Sequence, residues 1–238
     1  MCMIKGILFD KDGTLIEFNS LWIESTYEFL ESITRIHNQE EKLEELAYKV
    51  GLEGKTVRED SALAGKTSVD LAEIISDMLK VDCEEILKEL DRFYYEKVKE
   101  KPENIKPVCD LQQLFAQLKS NGLKIGIVTA DNYDVTKFIL DMLKLTEQVD
   151  FIATADLYDK KPNIEALQVF CDEQNLQLDE VIHIGDTSID MEFSKHCCYG
   201  VGVLTGIGTK PALLKYTPYV LNNVAELINQ DGELSLPA

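Results

Sequence analysis

Basic side chains, long apolar runs and paired cysteine motifs are all scarce in this chain of 238 residues. Lys plus Arg number 24 against 43 Asp plus Glu, a formal charge of -19. Such a surface repels a phosphate backbone at long range, which argues against nucleic acid and anionic membranes as partners. An anionic substrate would therefore need a bound cation and a few lysines to reverse the field locally. No apolar run approaches the ~20 residues of a membrane span, and Met1 to Lys5 lead straight into an apolar strand, so a cytoplasmic location is expected. The cysteines, Cys2, Cys83, Cys109, Cys171, Cys197 and Cys198, form no Cys-x-x-Cys pair, and are expected to be reduced and mostly buried. His196 stands beside two of them, but no second ligand pair follows at zinc spacing, so a structural role is the better reading. Internal repeats and low-complexity tracts are absent. Two Gly-Lys-Thr triplets, at Gly54 and Gly65, lack the glycine five positions earlier that a nucleotide-binding loop requires; Lys49 and Asp60 stand there instead.

What is present is organised around Ile4 to Leu15. The run Ile7-Leu8-Phe9 ends in Asp10-Lys11-Asp12-Gly13-Thr14-Leu15, which reads either as a buried strand with a reactive loop at its end or as an Asp-Gly hairpin turn. Helical periodicity then takes over for about ninety residues. Trp22, Phe29, Ile33 and Ile36 form one stripe and Leu43, Leu46, Ala47 and Val50 a second. Leu71, Ile74, Ile75 and Met78 form a third, and Ile86, Leu90, Phe93 and Tyr94 a fourth. Nothing in this stretch alternates like a strand. After the polar exit Lys101 to Pro107 the pattern becomes helix, strand, helix, strand, with strands expected at 124–128, 151–153, 181–184, 199–204 and 219–221. The fold class expected is α/β, a Rossmann-like parallel sheet with helices on both faces and an inserted helical domain. Residues 1–15 and 105–238 would form the core and residues 16–104 the insertion.

The carboxyl ends of these strands carry Asp10 and Asp12, then Thr129, Asp131 and Asn132, then Asp156, then Asp186 and Asp190. Strand ends on one edge converge, and Asp10, Asp12 and Asp186 supply hard oxygen ligands that suit Mg²⁺. Asp186 and Asp190 stand four apart at a helix start, so both can face one point. Lys160-Lys161-Pro162 is expected to open a helix, where a lysine opposes the helix dipole and instead suits a bound anion.

Asp10-Lys11-Asp12-Gly13-Thr14-Leu15, Thr129, Lys161-Pro162 and Gly185-Asp186-Thr187-Ser188-Ile189-Asp190 together resemble the four motifs of the haloacid dehalogenase-like superfamily, in its order and across nearly the whole chain. The size of the helical insertion, and Val201 to Gly206, resemble its phosphoglycolate phosphatase-like members. The resemblance implies hydrolysis of a phosphomonoester, phosphoglycolate-like or a sugar phosphate, through an aspartyl phosphate. Asp10 would be the nucleophile and Asp12 the acid and base. Mg²⁺ would be held by Asp10, Asp186 and the backbone carbonyl of Asp12, with Asp190 as a support or a ligand. Thr129 and Lys161 would act on the phosphate, with Gly13, Ala130 and Asp131 beside it. Asp12 favours phosphate chemistry over dehalogenation, since a halide leaves without a proton. Ala130 departs from the family's frequent asparagine. Lys66, and less so Arg58, is expected to meet the rest of the substrate, the triplets forming a turn that faces the site. A phosphomutase, a phosphonate hydrolase using Lys66 or Lys55, and a non-catalytic metabolite-binding regulator are the alternatives. The expected partner is a small phosphorylated metabolite, and the expected state a monomer or weak homodimer.

Overall fold

The computed structural model describes residues 3–18 and 21–235. Six parallel strands form its sheet: β1 (Gly6–Phe9), β4 (Lys124–Val128), β5 (Phe151–Ala153), β6 (Val181–Gly185), β7 (Tyr199–Val203) and β8 (Val220–Leu221), in the order β5-β4-β1-β6-β7-β8. The chain winds outward from β1 in both directions, so β1 lies at the topological switch where open α/β sheets bind ligands. Burial on both sides explains why these strands read as apolar runs. Ile7 and Phe9 point into one cluster with Phe115 of α6 (Leu111–Ser120), while Leu8 points into the other with Phe170 of α8 (Glu165–Gln174) and Phe193 of α9 (Ser188–Ser194). Phe9 and Phe115 stack with ring centres 5.5 Å apart. Helices on both faces of a parallel sheet are what the strand pattern implied.

Between β1 and α6 lies the helical insertion: α1 (Trp22–Ile36), α2 (Leu43–Val50), α3 (Ala62–Gly65), α4 (Ser68–Leu79) and α5 (Cys83–Glu100). Their apolar stripes share one cluster, which continues onto Val135 and Ile139 of α7 (Tyr133–Met142) in the sheet-bearing part. Polar contacts also tie the two parts together. Lys160 Nζ is 2.6 Å from Asp70 Oδ1, Asn132 Nδ2 donates to Asp91 Oδ1 at 3.2 Å, and the Thr209 amide donates to Glu59 at 2.9 Å. The insertion is thus seated on the strand ends. The sequence also predicts hinges for closure of the insertion near Phe18 to Ser20 and Pro102 to Lys106; part of the first, and Cys2, lie outside the described residues.

Three expectations are corrected. The insertion does contain a small antiparallel hairpin, β2 (Leu52–Glu53) with β3 (Thr56–Val57), whose two-residue strands are too short for alternation to show. Gly54 and Lys55 form its turn. Pro162 does not open a helix; residues 159–164 make a turn closed by the Asn163 amide on Lys160 O, and α8 begins only at Glu165. Of the described cysteines only Cys171 is buried, the others being half-buried. No described helix is long and apolar enough to cross a membrane.

The sheet leaves no space at Gly126 in β4. A Cβ there would lie 2.5 Å from Leu8 and 3.3 Å from Phe151 and Phe170. Gly126→Ala is expected to cost about 1–3 kcal/mol of stability through overpacking, read as a lower urea midpoint at unchanged slope.

Candidate active site

The site forms where β1, β4 and β6 end. Asp10 follows β1, and its amide donates to Ile184 O at 2.8 Å, which ties it to β6. Asp186 follows β6, Thr187 caps α9, and Asp190 stands one turn in as part of a capping box. Carboxylate oxygens of Asp10, Asp186 and Asp190 lie within 4.8 Å of one another, all buried. Lys161 reaches in from its turn to lie 2.7 Å from Asp10 Oδ1 and 2.6 Å from Asp190 Oδ1. Asp190 is fully engaged: Oδ1 also meets His183 Nε2 at 3.0 Å, and Oδ2 accepts from the Thr187 amide and hydroxyl at 3.0 and 2.6 Å.

Three carboxylates against one ammonium leave the cluster under-compensated, and the proton affinities reflect it. Burial pushes Asp10 up to about 7, with Lys161 opposing and the charges of Asp190 and Asp12 adding. Asp186 is raised well above the usual range, first by burial and then by Asp10 and Asp190. For Asp190 burial is outweighed by Lys161 and His183, which hold it well below. Lys161 is held above the lysine range, because Asp10 and Asp190 outweigh its burial. A divalent cation on Asp10 and Asp186 would supply the missing positive charge, and the all-oxygen donor set suits Mg²⁺. Asp190 already accepts from Lys161, Thr187 and, depending on tautomer, His183, so it supports Lys161 and the α9 start beside the place where an ion would bind.

Asp186 sits in a glycine cradle. Ile207 N donates to Oδ2 at 2.8 Å and Thr14 Oγ1 to Oδ1 at 3.3 Å. A Cβ on Gly206 would lie 1.9 Å from Oδ2, and one on Gly208 1.9 Å from the Asp186 carbonyl. Gly13 has φ +87, and a Cβ there would lie 2.6 Å from the same carboxylate. Its amide donates to Ile16 O at 2.7 Å, and its Cα side backs Asp186.

Asp12 takes a different course. Its oxygens meet Trp22 Nε1 of α1 and Lys11 Nζ, each at 2.5 Å. Lys11 is almost fully buried, lies 3.0 Å from Asp131 Oδ2, and sits 5.3 Å from the Trp22 ring centre. Burial raises Asp131 to about 6 although Lys11 opposes it. The Asp12 carboxylate therefore stays out of the carboxylate cluster. Thr129 Oγ1 accepts from the Asp131 amide at 3.2 Å, which leaves the hydroxyl proton to donate elsewhere.

A cleft of about 630 Å³ joins these groups. Asp10, Asp12, Thr129, Ala130, Asp131 and Lys161 line one wall; Trp22, Leu63, Lys66 and Tyr94 of the insertion are on the other. Lys66 thus lines the cleft as expected of its triplet. The first triplet, with Lys55 and the neighbouring Arg58, does not: Gly54 borders a separate hollow, and Arg58 lies over the Tyr48 ring at 4.3 Å. Asp156 accepts from the Tyr133 amide at the start of α7.

The family model for haloacid dehalogenase-like hydrolases matches residues 7–201. The chain belongs to this family. Pyrophosphatase PpaX of Bacillus mycoides is 27% identical over 228 residues, covering 94% of this chain and 95% of the relative. Among solved structures, β-phosphoglucomutase from Clostridium difficile superposes with a TM-score of 0.71 at 19% identity, covering 94% of this chain and 93% of the other. A predicted phosphoglycolate phosphatase from Haemophilus somnus gives 0.67 at 17%, covering 95% and 97%.

In this hydrolase Lys11, Trp22 and His183 had no functional signal in the sequence. Trp22 and His183 read as core positions of a helix and a strand, and Lys11 as a loop residue. Gly206 alone carried a hint, as part of the resemblance at Val201 to Gly206.

The proton affinities make the cluster's response to pH definite. Asp10 and Asp186 have folded values above their unfolded ones, so what they contribute to stability is present below about pH 4 and lost as pH rises, for Asp10 through about 7. The metal-free hydrolase should therefore melt lower at about pH 8 than at about pH 5.5, and millimolar Mg²⁺ should raise the melting temperature more at the higher pH. Equal Mg²⁺ shifts at both would place the cation elsewhere.

Proposed function

We propose that this hydrolase is a Mg²⁺-dependent phosphatase that hydrolyses a small phosphomonoester through an aspartyl phosphate on Asp10. The observation that carries this is the pairing of Asp10, held by Lys161 beside Asp186 and Asp190, with Asp12 on the same cleft but outside that cluster. In this reading residues 1–15 and 105–238 form the catalytic core and residues 16–104 a cap.

An Asp10 oxygen attacks phosphorus as the bond to the leaving oxygen breaks, and Asp12 gives that oxygen its proton. Asp12 then takes a proton from water, whose oxygen attacks phosphorus and releases the Asp10 carboxylate and inorganic phosphate. Asp10 and Asp186 would hold Mg²⁺, which would supply positive charge to the phosphoryl group and screen the nucleophile from its anionic target. Lys161 fixes the Asp10 rotamer and adds charge where the phosphoryl oxygens gather it. Thr129 donates its hydroxyl proton to one of them. Lys11 and Trp22 hold Asp12 on the leaving-group side. Because Trp22 belongs to the cap, seating of the cap and placement of the acid are one event, as expected where a closing element completes a site.

Phosphate release from esters with Mg²⁺ tests the assignment. Asp10→Asn should lose more than about a thousandfold in turnover, and comparable activity would remove the nucleophile. Asp12→Asn should lose far more on an alkyl phosphate than on 4-nitrophenyl phosphate, whose leaving group needs little protonation; an equal loss on both would deny Asp12 the acid role. Lys66→Ala should change KM or substrate preference, and if neither moves, Lys66 does not touch substrate. Isomerisation of a sugar phosphate without net phosphate release would indicate the mutase alternative.

A further inference from the structure

Beyond the phosphate end the cleft changes character. Phe18, Trp22, Leu63, Leu71 and Tyr94 form its cap side, each under a tenth exposed. The side-chain polar atoms of Trp22, Tyr94 and Ser68 on this wall already have partners. Trp22 Nε1 donates to Asp12, Tyr94 OH pairs with Thr26 Oγ1 at 2.8 Å, and the Ser68 hydroxyl bonds Asp91. The amide of Ala64 is capped by Ser61 Oγ, and that of Lys66 is bound to Ala62 O. The Lys66 ammonium is the cation the cap contributes to the cleft.

The leaving group must sit against this wall. Asp12 lies 2.5 Å from the indole nitrogen of Trp22, so the oxygen it protonates, and the carbons attached to that oxygen, are placed beside Trp22 and its apolar neighbours. A sugar would lay several hydroxyls against this apolar wall, and each one left buried and unpaired opposes binding. The phosphate leaving group of pyrophosphate would bring anionic oxygens against hydrocarbon with one cation to answer them. A hydrocarbon leaving group instead displaces water from apolar surface on both sides.

We propose that the natural substrate is the phosphomonoester of an apolar alcohol or phenol, a hydrocarbon leaving group bearing at most one anionic group, which Lys66 would face. The proposal rests on the phosphatase reading and narrows it.

The test is phosphate release by the purified protein with Mg²⁺ from benzyl phosphate, glucose 6-phosphate and pyrophosphate, with 4-nitrophenyl phosphate alongside. Benzyl phosphate and glucose 6-phosphate both expel a primary alkoxide, so a difference between them reports binding of the leaving group. The kcat/KM for benzyl phosphate is expected to exceed the other two at least tenfold. Leu63→Gln, which puts an amide into the wall, should lower the benzyl value several-fold while product inhibition by inorganic phosphate stays unchanged. Glucose 6-phosphate or pyrophosphate turned over as well as benzyl phosphate would overturn the proposal and leave the phosphatase standing. So would a Leu63→Gln enzyme with an unchanged benzyl value. If none of the esters, 4-nitrophenyl phosphate included, releases phosphate, the phosphatase reading falls and the proposal with it.

Discussion

Burying three carboxylates within one hydrogen-bonded radius is the constraint on which this site is built. Like charges in a low-dielectric interior repel strongly, and burial without partners costs several kcal/mol per ion. Lys161 answers part of that cost by bridging Asp10 and Asp190. His183 and the two Thr187 donors answer another part at Asp190. What is left falls on Asp10 and Asp186, whose raised proton affinities mark them as the pair short of positive charge. A site in that state favours a cation and the electrophile that arrives with it.

The same constraint explains the backbone around it. Asp186 is held by two segments far apart in sequence, Gly13 and Thr14 after β1 and Gly206 to Gly208 after β7. Side chains at Gly13 and Gly206 would fill the space its carboxylate occupies, and one at Gly208 would meet its backbone carbonyl. Thr205 Oγ1 donates to the Gly13 carbonyl at 2.7 Å, joining the two segments directly. The loop carrying Asp12 is thereby fixed relative to Asp186, and Asp12 can project away from the cluster toward the insertion. Two aspartates two residues apart thus reach different surroundings, the condition under which one could attack and the other carry protons, as proposed above.

The sequence carried the parts of this arrangement that depend on strand ends. Apolar runs closed by Asp10, Thr129 and Asp186 were legible because burial on both faces of a parallel sheet writes itself into every residue of a strand. Asp190 was legible through its spacing from Asp186. Lys161 was singled out as a helix opening, but it reaches Asp10 and Asp190 from a turn and not from a helix end. Lys11, Trp22 and His183 were not legible, because an indole or imidazole in an apolar stripe has the same one-dimensional signature whether its nitrogen meets a carboxylate or packs in a core. The β2–β3 hairpin was not legible because strands of two residues have no period.

The charge of the chain bears on how the site must work. At -19, the surface as a whole repels a phosphate dianion, and at physiological salt that repulsion is screened only beyond about 8 Å. Attraction therefore begins inside the cleft. Lys161, Lys11 and Lys66 are there, but Lys161 and Lys11 are already paired with carboxylates. With so little free positive charge, a phosphate bound there would depend on a cation, which the Asp10 and Asp186 pair could hold. The remaining affinity has to come from contacts that carry no charge. In this cleft those are Trp22, Leu63, Leu71 and Tyr94, on the helical insertion that also positions Asp12.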